Sequence, residues 1–142
     1  MKKLLFVLFS SAVYSAGGMA APSCEDVKGA WVNQIGSLLT ISKVTSEGRL
    51  SGTYRSSSGT DGESFPLIGW TNHAPAKQNT DNARVVSFSV NWGSNGSVTS
   101  WSGVCAVKKG TPTISTLWHL TRSNSQYDWD HTHTNKAVFT PK

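Results

Sequence analysis

Beyond residue 29 the chain alternates. Apolar or β-branched residues recur at every second position in short runs, and clusters of Gly, Ser, Asn and Pro separate the runs. A period of two marks a strand with one buried face. The runs predict eight strands, at about 30–34, 37–44, 49–56, 64–71, 84–92, 97–107, 112–121 and 132–140. Turn-like breaks fall at Gly36, Ser46-Glu47-Gly48, Ser57 to Gly62, Ala74 to Asn82, Gly93 to Gly96, Lys109-Gly110 and Ser123 to Tyr127. Nothing after residue 21 holds a helical period for more than a turn or so. Sequential strands without crossover helices predict an antiparallel meander. Eight of them predict an all-β, eight-stranded up-and-down barrel, because closure removes the exposed edges. The ligand pocket would lie in one open end, with an interior just wide enough for one small molecule.

The first residues follow a different pattern. Lys2 and Lys3 precede the apolar run Leu4 to Phe9, and small residues follow as far as Ala21. This is the layout of a secretory signal peptide, and the apolar run is too short to span a bilayer. Cleavage after Ala20 would make 1–20 the leader and 21–142 a single barrel domain, secreted or periplasmic. Removing Lys2 and Lys3 takes the formal charge from +5 to +3. No basic run of the nucleic-acid-binding kind remains. Cys24 and Cys105 are the two cysteines. An even count in an exported chain predicts a disulfide. The alternative, Cys24 as a lipid-modified N-terminus, has a poor context in Ala21-Pro22-Ser23.

Composition adds one unusual feature. Only 15% of the 142 residues are charged, which excludes a coiled coil, a Glu/Lys-rich bundle and a charge-driven disordered chain. Six Trp are present, and indoles suit stacking on a flat ligand. Strand parity groups them with polar residues. Trp31 shares a face with Asn33, Tyr54 with Ser56, Trp101 with Ser97 and Thr99, and Trp118 with Leu120, while Trp92 closes the fifth run. If these faces point inward, they form a pocket of indoles studded with hydroxyls and an amide. The competing reading, which parity alone leaves open, makes Trp92, Trp101 and Trp118 core filling. Trp31 and Trp70 are expected to fill the core or cap a barrel end.

The residues that carry a resemblance run from Gly29 to Phe139. They are Gly29-Ala30-Trp31-Val32-Asn33-Gln34-Ile35-Gly36-Ser37, Leu50-Ser51-Gly52-Thr53-Tyr54, Val90-Asn91-Trp92, Thr99-Ser100-Trp101-Ser102-Gly103, Thr116-Leu117-Trp118-His119-Leu120, Asp128-Trp129 and Val138-Phe139-Thr140. In this order and spacing the chain resembles the avidin and streptavidin family of biotin-binding proteins. The resemblance implies a non-catalytic, high-affinity binder with no cofactor, biotin itself being the bound ligand. Asn33, Ser37 and Tyr54 would donate to the ureido carbonyl, and Ser56 would accept from one ureido N–H. Thr99 would meet the ring sulfur. Ser97 would contact the valerate carboxylate, helped by backbone N–H groups near Ser58 and Thr60. Trp92, Trp101, Trp118 and Leu120 would wall the ligand. Ser57 to Gly62 would be the closing loop. Trp129 would reach a neighbouring subunit's pocket, which implies a homo-oligomer, with a tetramer favoured. The family places Asp or Asn two residues before the last-strand Phe. Here that residue is Ala137, and Asn135 would substitute only if the strand shifted by two. Cys24 and Cys105 resemble avidin's intrachain disulfide, although Cys24 lies one residue further from Trp31.

Other signals carry less. His131 and His133 share a strand face, but no set of zinc-site spacing surrounds them, and no metal is expected. Asn95-Gly96-Ser97 fits a glycosylation sequon and equally a hairpin turn. A secreted carbohydrate- or other small-ligand-binding barrel is the alternative function. A small basic hydrolase would need a His beside a carboxylate on the inward face, and parity supplies none. No nucleic acid or membrane partner is implied.

Overall fold

The computed structural model describes residues 21–72 and 83–142, so the expected leader (1–20) and the whole turn at Ala74 to Asn82 lie outside the described residues. The eight strands are β1 Gly29–Asn33, β2 Leu38–Val44, β3 Arg49–Arg55, β4 Ser64–Thr71, β5 Arg84–Asn91, β6 Ser97–Lys108, β7 Thr111–Arg122 and β8 Thr132–Pro141. Each pairs antiparallel with the next, and β8 returns to β1 through Trp31↔Pro141, Val32↔Thr140 and Asn33↔Phe139. The barrel is closed, and every strand edge along this ladder has a partner. Trp92 leaves β5 one residue early and enters a short 3-10 turn, Gly93–Asn95.

The alternation read from the sequence becomes an inside and an outside. Trp31, Leu39, Ile41, Leu50, Leu67, Ile114 and Phe139 are buried and fill the barrel below its open end. Trp31 belongs to this core, with its indole N–H donating to Val27 O at 2.9 Å. Trp70 does not. It is 56% exposed and faces outward, contrary to the expected core or capping role. The inward neighbour on β4 is Gly69. A Cβ there would lie 2.0 Å from Ser87 O, so β4 and β5 approach too closely for a side chain inside. Parity then sends Trp70 to the outer surface.

Cys24 and Cys105 form a disulfide that spans 81 residues of sequence and ties the segment before β1 to β6. Arg84 reinforces the same corner. Its guanidinium donates to Cys24 O at 2.9 Å and to Asn72 O at 2.7 Å.

Candidate functional site

The open end of the barrel holds a cavity of about 340 Å³, within the usual range for small-ligand sites. Strand parity and three connections build it. Asn33 ends β1, Tyr54 and Ser56 come at the end of β3, and Ser58, Gly59 and Thr60 come from the β3–β4 loop. Trp92 and Asn95 follow β5. Ser97, Thr99 and Trp101 stand on β6, Trp118 and Leu120 on β7, and Ala137 on β8. Ile35, in the β1–β2 turn, completes the rim.

The polar groups have fixed roles. Asn33 Oδ1 accepts from Ser37 N at 2.8 Å and Ile35 N at 3.1 Å. These two donors settle which way the amide faces and leave the Nδ2 hydrogens as its offering to the cavity. Thr99 Oγ1 accepts from the Trp92 indole N–H at 2.7 Å, which holds the Trp92 ring and leaves the Thr99 hydroxyl hydrogen for another acceptor. Ser56 Oγ accepts from Ser58 N at 3.3 Å and steadies the start of the loop. Ser37 is buried just behind the wall. Its hydroxyl donates to Ser57 Oγ at 3.2 Å and accepts from Ser57 N at 3.1 Å. Rotation of that hydroxyl would redirect its hydrogen to a ligand.

Tyr54 lies at the centre of the aromatic lining, with ring centroids 4.8 Å from Trp101 and 5.8 Å from Trp92. Burial pushes its phenol above the ordinary value of 10.0, and the Ser37 hydroxyl pulls the other way. The phenol therefore remains a donor throughout the neutral range. The linkage has a defined sign. A raised folded-state pKa contributes stability below about pH 10, and that contribution is lost as the pH climbs through the folded value. Tyr54→Phe should flatten the decline of melting temperature above about pH 10 relative to wild type. An identical decline in both proteins would show that Tyr54 does not titrate this way.

Two buried polar atoms among the described residues have no hydrogen-bond partner: Thr60 Oγ1 and Trp101 Nε1. Both belong to residues of the cavity wall. Buried donors are nearly always paired, so these two groups of the cavity wall stand ready to pair with what enters the cavity.

Two other residues singled out in the sequence stand apart from this cavity. Asn135 is exposed opposite Trp118, and its Oδ1 accepts from Lys136 N at 2.8 Å. The register keeps Ala137 opposite Thr116 and Phe139 opposite Ile114, with no shift by two, so the cavity wall has Ala137 and not Asn135. Trp129 is 78% exposed in the β7–β8 connection and stacks on Tyr127 at 5.3 Å. Asp130 holds this connection by pairing with Arg122 and lies 3.4 Å from His133 Nε2. Ile35 and Asn95 entered the lining without a sequence signal, because parity does not extend into turns; Gly59 lies in the loop Ser57 to Gly62 already expected to close over the ligand.

A closed antiparallel barrel with a one-ended, indole-walled cup defines a small-ligand-binding barrel. The chain belongs to the avidin family: the description "Avidin family" matches residues 21–142. Avidin of Gallus gallus is 34% identical over 146 residues, covering 96% of this chain and 91% of the relative. Avidin-related protein 4/5 of Gallus gallus is 32% identical over 143 residues, with the same coverage of both chains.

Proposed function

We propose that this chain is an exported, non-catalytic protein that binds biotin in the open end of its barrel. The observation that carries the reading is the set of directed donors around one cavity. Asn33 Nδ2 is aimed by two backbone contacts, Tyr54 is kept protonated by burial, and Ser37 stands behind them with a rotatable hydroxyl. Three such donors suit one polarised carbonyl oxygen, that of the ureido ring, and preorganised groups lose little free energy on binding. Ser56 accepts from one ring N–H, and Thr99 faces the ring sulfur. Ser97, with the loop around Ser58 and Thr60, receives the valerate carboxylate. The orphaned Thr60 hydroxyl supports that last role. Trp92, Trp101 and Trp118, with Leu120, cover the apolar faces of the ligand.

The disulfide fits an oxidising compartment outside the cytoplasm, in line with a leader over 1–20. Assembly into a homo-oligomer, a tetramer in preference, is supported by two apolar patches on the outer surface, one on β4 and one on β7 and β8. There Ile68, Trp70, Leu117 and Val138 are exposed side chains of the sort that a second copy would cover. Trp129, exposed and stacked on Tyr127, would then sit over a neighbour's cup.

Displacement of a cavity-bound dye tests the reading. Biotin at micromolar concentration should release the dye, and a panel of sugars should not. Release by sugars alone would favour a carbohydrate-binding barrel. Tyr54→Phe removes one donor and should weaken biotin by about tenfold, as read by the same displacement. An unchanged midpoint would remove Tyr54 from the carbonyl site.

A further inference from the structure

The side chains that line one sector of the cup, Asn33, Ala137 and Trp101, offer hydrogen-bond donors and no free acceptor. On the inward face the register sets one row through Trp101, Trp118 and Asn135 and the next through Gly103, Thr116 and Ala137, so Trp101 and Ala137 stand on adjacent inward rows, and both line the cavity. Trp101 is 5% exposed and its indole N–H has no partner. Thr116, paired with Ala137 on the neighbouring strand, donates its hydroxyl hydrogen to Ala137 O at 3.1 Å; it is buried behind the wall and does not line the cavity. Ala137 ends at Cβ and offers nothing. Beyond it, next to Phe139 on the neighbouring strand, Asn33 has committed its carbonyl oxygen to two backbone N–H groups and presents only N–H.

A ligand atom against this sector therefore meets donors. A ring N–H placed there faces another N–H, which leaves two buried donors without a partner. A ring oxygen placed there accepts from Trp101. We propose that the sector formed by Asn33, Ala137 and Trp101 is a donor-only subsite, and that Ala137 makes the protein accept a cyclic carbamate in place of the cyclic urea, with oxygen replacing the ring N–H on this side. The inference rests on the biotin reading of the cup and specifies its selectivity. Sites built to pair a buried polar group reject analogues that leave that group unpaired by large factors. Here the same rule acts in favour of the analogue.

The experiment compares biotin with its two cyclic carbamate analogues, one for each ring nitrogen, on wild type, Ala137→Asp and the uncharged companion Ala137→Asn. Wild type should bind one of the two carbamates within about tenfold of biotin. The acceptor-bearing variants should gain affinity for biotin and reject that carbamate by at least about a hundredfold. Rejection of both carbamates by wild type, or an unchanged ratio in both variants, overturns the proposal. A ligand-free readout separates this outcome from failure of the biotin reading. The Trp101 indole N–H resonance, assigned by its loss in Trp101→Phe, should move downfield in Ala137→Asn or Ala137→Asp as it gains an acceptor. If wild type binds no biotin, the functional reading fails, and this resonance alone decides the subsite. A resonance that stays in place in both variants places the indole N–H away from Ala137 and overturns the proposal even where biotin binds.

Discussion

Trp129→Ala is expected to weaken biotin binding by about thirtyfold or more while leaving each barrel folded. The magnitude follows from what a buried Trp contributes at the centre of an interface, about 2 kcal/mol or more on truncation. Within its own chain Trp129 contributes little, since it is 78% exposed and its recorded ring contact is Tyr127. Its loss should therefore not alter thermal stability of the single barrel by more than about 0.5 kcal/mol. The geometry of the connection explains why a Trp held this way can serve a neighbour. Arg122 pairs with Asp130, and the Arg122 amide donates to His131 O at 2.9 Å, so the C-terminal end of the short 3-10 turn Asp128–Asp130 is pinned to β7. The indole is presented outward on a fixed base, and little ordering free energy remains to be supplied on contact. The effect should appear mainly as faster release of biotin, since most interface mutations act on dissociation. Native mass spectrometry run in parallel separates a lost lid from a lost assembly. Full affinity in Trp129→Ala would mean that each cup binds alone.

Removal of the disulfide has the largest expected effect on stability. Replacing both Cys24 and Cys105 with Ser should cost about 2–5 kcal/mol, and the chain-entropy account for a loop this long falls near 4. At this chain size the melting temperature should drop by about 8–20 °C. The bond closes 81 residues of sequence, so the freed ensemble gains much of the entropy that the bridge removes. Biotin should still bind to the folded fraction at low temperature, because Cys105 is buried deep in the barrel and outside the cup wall. Thermal unfolding with and without a reductant, followed by the same scan of the double variant, measures the effect. A drop below about 3 °C would show that the Arg84 contacts to Cys24 O and Asn72 O already hold the segment in place.

The barrel was legible in the sequence because its strands are one-sided. On β6, Thr99, Trp101 and Cys105 are buried while Ser100 and Ser102 lie on the outer face, so the period of two survives intact into the structure. Trp70 was less legible for the same reason that Trp101 was easy. Size argues for burial of any Trp, but on β4 the close approach of β5 reserves the inward position for Gly69, and parity overrides size. That close approach is a tertiary fact without a local signature. The wall of the cup was readable by parity on the strands and through the family resemblance at Ser58 and Thr60 of the β3–β4 loop, whereas Ile35 and Asn95, on the other two turns, were missed. The engagement of Ser37 with Ser57 joins residues 20 apart across the mouth and depends on how the β3–β4 loop folds back. The Ala137 position needed both levels. The letters showed a residue with no acceptor, and the register excluded Asn135 as its replacement.

Calorimetric titration of the folded protein with biotin tests the central claim most directly. The account predicts a strongly exothermic isotherm with one ligand per chain and a dissociation constant well below micromolar, because the donors and the indole walls are already in position. A flat trace at micromolar protein and ligand, from chains shown to be folded and disulfide-bonded, would contradict it.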